Sequence, residues 1–414
     1  MLTAFIKPNT KALQYSRVSG LSAIEPPVWL TLLSQTMPDG IVVDMEAEEL
    51  DRAGLLRRLA PLHIGRVFIL ATGSHPSAHV QQSSAVRELR SFLIQELSVP
   101  VEVLDYLPFD PVKAGAVDWN RILLEKYRAH NWHAWGRKDQ AYGATFTSIS
   151  CPFSCNFCCV KDFYHSDYHQ RSPVLVVEDI RSLVSRGVTN IKLMDELFAI
   201  DNPGVRAVCE ALVSSGFAEQ LNIWAYARID TVNPPLLARL RAAGVRWLAY
   251  GIESGDERIR GAALKGNFSN ARIREVVAMT KDAGIHVVGN FMFGFWEDDR
   301  AALEATFDLA AGLMCEYANF YCLSVYPGSK LYADMKARGV NLPESGEEYA
   351  QMSPSFKPVP TAHLTGQEVL MFRDSAFMRY FTDTRYLAMM RSVFGEPAVA
   401  GIRAMTAIDI RSRP

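Results

Sequence analysis

A chain of 414 residues is longer than one typical domain, so two or three are expected. Hydrophobic residues make up 49% and charged residues 21%, enough for a large core, and a net charge of −2 gives no electrostatic reason to bind nucleic acid or an anionic membrane. No apolar run reaches the length of a membrane span, the N-terminus has no secretory pattern, and seven clustered cysteines do not form a disulfide framework, so a cytoplasmic location is expected.

Within residues 1–113, Ile41–Asp44, Arg66–Ala71 and Val101–Tyr106 read as strands, and Glu48–Leu59 and Gln82–Leu97 as helices. Together they form a small Rossmann-like layer. The connecting stretch Pro108–Ala141, with the linker proper at 114–141, carries Trp119, Trp132, His133 and Trp135, which read as core or interface residues.

Between residues 142 and 335 a unit of strand, loop, helix and glycine recurs. The strands are Ala144–Ile149, Asn190–Met194, Asn222–Tyr226, Arg246–Gly251, His286–Phe293 and Asn319–Val325. Gly187, Gly216, Gly244, Gly284 and Gly312 each stand shortly before a strand, where a left-handed residue would end the preceding helix. The fold class is therefore α/β: six successive β-α units make an open, partial (β/α)6 barrel. Residues 336–414 hold a loop, Pro343–Pro360, and two amphipathic helices, Gly366–Tyr380 and Thr384–Phe394, expected to pack across the barrel mouth.

Ligands of parallel α/β folds sit at the carboxyl ends of the strands, and the residues able to do chemistry collect there. After the first barrel strand come Cys151, Cys155 and Cys158, spaced C-x-x-x-C-x-x-C with Phe157 before the last. Three thiolates hold three irons of a cubane and leave the fourth open, whereas an ordinary 4Fe–4S centre takes four cysteines. A structural zinc site also needs four ligands, and Cys159 adjoins Cys158 too closely to complete a tetrahedron comfortably. Cys209 reads as packed core. Asp195 and Glu196 end the second strand, as ligand-facing acids or as acids at a helix start. Tyr226, Arg228 and Asp230 close the third, with Tyr226 and Arg228 on one face; Arg228 suits a carboxylate or a rim salt bridge equally. Glu253 lies in YGIESG after the fourth. Gly289, Asn290 and Gly294 mark the fifth, and Tyr326, Pro327 and Gly328 the turn after the sixth, as ligand-facing positions or as tight-turn residues.

The cysteine spacing resembles that of the radical S-adenosylmethionine (SAM) superfamily. KYRAHNWH, CPFSCNFCC, LMDELFA, WAYARIDT, WLAYGIESG, GNFMFGF and VPTAHLTGQEVLMFRDSAF resemble the branch with an N-terminal cobalamin-binding-type domain, as do AIEPPVW, VVDMEAEEL and ATGSHPSAHVQQ before them. The resemblance implies a 4Fe–4S cluster on Cys151, Cys155 and Cys158. It implies SAM held by Phe157, Glu196, Arg228, Glu253, Gly289, Asn290 and Tyr326, with Glu196 taking the amino group.

The D-x-H-x-x-G cobalamin motif is absent, and the fourth strand, VPVEVLDY, runs into the linker without the usual further β-α unit. The truncated domain is therefore expected to bind no cobalamin. In that form the chain resembles the radical SAM dehydratases of aminoglycoside 3′-deoxygenation. These take a hydrogen from a sugar diol and expel water, leaving a ketone for a separate NAD(P)H-dependent reductase. Asp195, Tyr226, Asp230, Tyr321 and Tyr326 would then meet a polycationic pseudodisaccharide substrate or move its protons. Flavodoxin or ferredoxin would supply the electron, and the oligomeric state is open. The alternatives are a cobalamin-dependent radical SAM C-methyltransferase and, from another class, a non-catalytic iron–sulfur or zinc protein.

Overall fold

The computed structural model describes residues 1–11, 18–73, 75–137, 140–165 and 167–408; residue 74 of ATGSH, 138 and 139 of the linker and 166 after the cysteine loop lie outside the described residues. The N-terminal layer is a parallel sheet of order β2-β1-β3-β4, built from β1 (Leu2–Lys7), β2 (Gly40–Asp44), β3 (Ile64–Leu70) and β4 (Val101–Leu104). Its helices are α1 (Val28–Gln35), α2 (Arg52–Leu59) and α3 (Pro76–Glu96). The first helix boundary moves inward because Asp51 caps α2, accepting a hydrogen bond from the Gly54 amide at 2.6 Å. The second moves outward: Pro76 occupies the first turn and the His75 ring accepts from the Ala78 amide, so α3 begins at Pro76 rather than Gln82. Among the described residues no fifth strand follows β4.

The second sheet has six parallel strands in the order β12-β11-β10-β9-β8-β5, an open barrel in which every chain-adjacent pair is hydrogen-bonded. They are β5 (Tyr142–Thr145), β8 (Asn190–Leu193), β9 (Asn222–Ala227), β10 (Val245–Glu253), β11 (His286–Phe293) and β12 (Tyr317–Cys322). The first strand is shorter than expected. After Thr145 the chain turns into a two-residue strand, β6 (Ser148–Ile149), paired antiparallel with β7 (His169–Gln170). The helices are α4 (Val160–Tyr164), α5 (Pro173–Val184), α6 (Pro203–Ser214), α7 (Pro234–Ala242), α8 (Glu257–Ala262), α9 (Asn270–Asp282), α10 (Arg300–Leu313) and α11 (Lys330–Ala337). Asn202 and Asn233, each before a proline, cap α6 and α7 through Val205 and Leu236 amides at 2.9 Å.

Gly187, Gly216, Gly244 and Gly284 adopt positive φ after their helices. Gly312 does not: it lies inside α10, and the left-handed residue there is Met314, at φ 47°. Asparagine or glycine would strain less at that turn.

The C-terminal helices also depart from expectation. After a single turn, α12 (Gly346–Tyr349), come α13 (Gly366–Phe381), α14 (Thr384–Phe394) and an additional α15 (Glu396–Thr406). α13, started by a capping box between Thr365 and Glu368, covers the edge strand β12, with Val369 near Gly294 and the Tyr380 hydroxyl donating to the Cys315 carbonyl at 2.6 Å. Phe394 of α14 stacks on Trp247 at 5.6 Å and meets His286 at 4.7 Å, both at the amino ends of their strands. These helices therefore close the barrel floor, not its mouth. Trp132 and Trp135 of the linker join them there, Trp132 lying 5.5 Å from Trp224 and 5.2 Å from Trp247. Flat, rigid rings can fill an open barrel's wide end that aliphatic side chains would leave hollow.

The mouth instead faces the carboxyl edge of the N-terminal sheet. Gln81 Nε2 donates to the Tyr326 hydroxyl at 3.0 Å, His79 meets Phe163 at 5.4 Å, and Tyr106 meets His165 at 4.8 Å. The carboxyl ends of both sheets thus look toward each other, which is where ligands of such sheets bind.

Candidate active site

The cysteine loop is held from three sides. Asp195, fully buried, takes the Thr147 amide at 2.8 Å and the hydroxyls of Thr147 and Ser148, which fixes the chain entering the loop. Ser150, just before Cys151, is forced to φ 64°. Asn156 then ties the loop's middle down: its amide donates to the Ala263 carbonyl at 3.1 Å and its carbonyl accepts from Leu331 at 2.8 Å. Cys155 and Cys158 are brought together by a turn, the Cys158 amide donating to the Cys155 carbonyl at 3.1 Å. All seven cysteines are free thiols. Among the described residues no three His, Cys, Asp or Glu side chains converge as on a single metal ion. A cubane spreads its thiolates over separate irons, and three cysteines on one tied loop match that demand. Cys159 is different: it is buried, whereas Cys151 and Cys155 are half-buried and Cys158 is exposed.

Glu196 gives the clearest sign of a missing ligand. Its Oε1 is buried without a hydrogen-bond partner, and it acts electrostatically on Cys151 and Cys158. Burial raises its carboxyl to about 7, against the pull of Lys192. An orphaned buried carboxylate is costly unless a ligand completes it. The amino group of a small molecule bound next to the cysteine loop would do so.

Arg228 is placed otherwise than a carboxylate clamp. It is bidentate to Asp230 at 2.9 and 2.8 Å, donates to the Lys265 carbonyl, and points Nη1 at Cys155 Sγ from 3.3 Å, above the Phe153 ring at 3.8 Å. Asp230 is correspondingly committed. Glu253, in a left-handed conformation at φ 68°, pairs with Lys265 at 2.8 Å. Phe157 is partly buried and packs edge-on against Phe295 at 5.8 Å. Tyr326 is a joint between the layers: Gln81 donates to it, Tyr349 stacks on it at 5.3 Å, and burial raises its hydroxyl to about 12. Gly289 faces outward, where a Cβ would meet the Phe291 ring and Cys315, so it does not face an adenine inside the barrel. Gly294, at φ 106°, and Gly328, at φ 86°, are turn glycines.

The inner face is half open toward the mouth. Along β11 and β12 exposure alternates: Asn290, Met292, Tyr317 and Asn319 are partly exposed and Tyr321 is exposed, while the residues between them are buried. Asn290 and Asn319 sit in register, Asn319 Nδ2 donating to Asn290 Oδ1 at 2.9 Å and Asn290 Nδ2 to the Tyr250 carbonyl at 3.1 Å. Tyr226 lines the same face.

Four residues beyond those singled out from the sequence complete the chamber. Lys192, 3% exposed in the middle of β8, binds both oxygens of Glu25 at 2.7 and 3.0 Å and lies 5.2 Å from the Trp224 ring. Burial opposes ionisation of Glu25, but Lys192 outweighs it and holds that carboxyl near 2. His75 and His130 stand close by. Burial lowers both to about 4, so both are neutral. Each accepts a backbone N–H on Nδ1, from Ala78 and Ala23, which puts the proton on Nε2. A lysine flanked by Ile191 and Leu193 in a strand was the available signal, since a buried ammonium needs a partner.

Residues 146–310 match the family model of the Radical SAM superfamily. An uncharacterized methyltransferase of Pyrococcus horikoshii is 25% identical over 297 residues, 71% of this chain and 58% of that one. The chain spans between 31 and 58% of the lengths of the curated relatives it matches. Among solved structures, the radical S-adenosylmethionine methyltransferase TsrM from Kitasatospora setae, with cobalamin and a [4Fe-4S] cluster bound, aligns with a TM-score of 0.65 at 13% identity, covering 91% of this chain and 88% of that one. The cobalamin-dependent S-adenosylmethionine radical enzyme OxsB aligns at 0.65 and 10% identity, covering 98% and 70%. Both likenesses concern the fold.

Proposed function

We propose that this chain, whose residues 146–310 match the Radical SAM superfamily model, cleaves SAM at a 4Fe–4S cluster and uses cobalamin to methylate a small molecule of low charge. The observation that carries the first half is the unpartnered Glu196 carboxylate beside Cys151 and Cys158, the complement of an ammonium held at the open iron. A cluster on the three thiolates would supply the electron, and cobalamin between the two sheets would carry the methyl group.

The missing fifth strand loses its force as an argument against cobalamin. Coverage of 91% and 88% means that TsrM, whose structure holds cobalamin, is nearly the same length as this chain. The methyltransferase relative points the same way.

The chamber also disfavours a polycation. Asp195 is saturated by Thr147 and Ser148, Asp230 by Arg228, Glu253 by Lys265 and Glu25 by Lys192. The side chains along the half-open inner face, Asn290, Asn319, Tyr226 and Tyr321, are amides and phenols without charge, a lining suited to neutral donors and acceptors. This chain's residues would orient that substrate and exclude water; Lys192 and the two neutral imidazoles would line its far side.

The four-stranded sheet favours a second reading, dehydration of a sugar diol without cobalamin. Anaerobic reconstitution with iron and sulfide, followed by titration with hydroxocobalamin, separates them. One cobalamin per chain, with S-adenosylhomocysteine formed under reduction, is the expected result. Reconstituted protein that ignores cobalamin and yields 5′-deoxyadenosine would replace methyl transfer by the second reading.

A further inference from the structure

We propose that Glu25, in the N-terminal layer, is a positioning residue for SAM: by engaging the Lys192 ammonium it keeps the Glu196 carboxylate open for the amino group of SAM. The inference rests on the reading that Glu196 receives that group.

The geometry sets up a competition. Lys192 lies within β8 and Glu196 three residues beyond its end, and Lys192 is the cation that acts on Glu196. A buried ammonium that acts on an unpartnered carboxylate would ordinarily pair with it. It does not: both oxygens of Glu25 hold its Nζ, at 2.7 and 3.0 Å, with the Trp224 ring 5.2 Å away. Glu196 Oε1 is left with no donor.

Glu25 is itself fixed. Ile24 bridges Arg128, the Ala23 amide donates to His130, Lys7 Nζ donates to the Glu25 carbonyl at 3.3 Å, and Pro26 and Pro27 follow. Other groups facing the dyad do not compensate: His75 and His130 are neutral donors, and Asp195 has its oxygens taken. Without the Glu25 charge, the least costly fate of the Lys192 ammonium is to pair with Glu196. The amino group of SAM would then meet a neutralised carboxylate with a like charge beside it.

The test is SAM binding to the reconstituted, cluster-loaded protein by anaerobic equilibrium dialysis, with iron content and thermal midpoint measured for each variant. Glu25→Gln should bind SAM about tenfold or more weakly, while Glu25→Asp, which keeps the charge, binds like the wild type. The double variant Glu25→Gln, Lys192→Met should recover wild-type affinity, because no ammonium is left to occupy Glu196. A merely structural role for Glu25 would not be rescued by removing a second charged residue. Wild-type binding by Glu25→Gln, or no recovery in the double variant, overturns the inference. Glu196→Gln is measured alongside: if it binds SAM normally, the Glu196 reading itself fails, a result distinct from failure of the Glu25 relay.

Discussion

Arg228 Nη1 stands 3.3 Å from the sulfur of Cys155, with its remaining nitrogens fixed by Asp230 and the Lys265 carbonyl. With the proposed cluster on Cys155, this locked guanidinium would be a permanent N–H donor and positive charge beside a ligand thiolate, and hydrogen bonds to cluster sulfurs are among the levers that set reduction potential. Arg228→Gln should make the cluster harder to reduce, by about 59 mV for each tenfold loss of preference for the reduced form. Spectroelectrochemical titration of the reconstituted protein reads this directly. An unchanged potential would mean that Arg228 serves only to hold Asp230.

The three loop cysteines and their neighbour should separate cleanly. Cys151→Ala, Cys155→Ala and Cys158→Ala each lose the cluster's visible absorbance and most of the iron. Cys159→Ala keeps both, since its thiol is buried at the start of α4. Iron and sulfide assays decide it, and iron lost from Cys159→Ala would reassign the ligand set.

The floor of the barrel makes a stability prediction. Trp247 is 1% exposed and touches Trp132, Trp135, His286 and Phe394. Trp247→Ala should cost about 3–5 kcal/mol in denaturant unfolding, because the surrounding rings are too rigid to collapse into the void. A cost under about 1 kcal/mol would show the plug to be loosely packed.

Asp298 gives a pH dependence of defined sign. It is 1% exposed; Oδ2 accepts from the Gly294 and Phe295 amides, Oδ1 has no partner, and burial raises its carboxyl from 3.8 to about 7. Between those values the folded state holds a proton that the unfolded state has lost. Stability therefore falls as pH rises through that window, by up to about 1.4 kcal/mol per pH unit, and levels off above it. Asp298→Asn should lack this component, so its stability relative to wild type should grow from pH 4 to about pH 7. Parallel denaturation curves across that range would refute it.

Much of the barrel was legible because a parallel strand buried on both sides is a short apolar run, and each helix must end in a turn that a glycine stabilises. β11 lies where expected, at His286–Phe293, and β8, β9 and β10 within a few residues of it. Gly312 misled because Met314 takes the left-handed position two residues later. The helices after residue 366 were legible as helices, but amphipathicity does not say which end of a barrel they cover. The cysteines could be read from spacing alone, whereas Asp195 and Glu196 could not be told apart. Adjacent residues on one turn diverge, and only the fold shows that one faces Thr147 and Ser148 while the other is left unpartnered. The Glu25–Lys192 pair spans 167 residues of sequence, a distance over which no local pattern operates.

The aromatic floor also governs traffic. With Trp132, Trp224, Trp247 and Phe394 packed together at the amino ends of the strands, a molecule held inside the barrel would sit in a well entered from the side of the N-terminal layer. Molecules stacked in such a well leave in the reverse of the order in which they entered. SAM seated against the cysteine loop and a substrate above it would therefore turn over by an ordered rather than a random sequence.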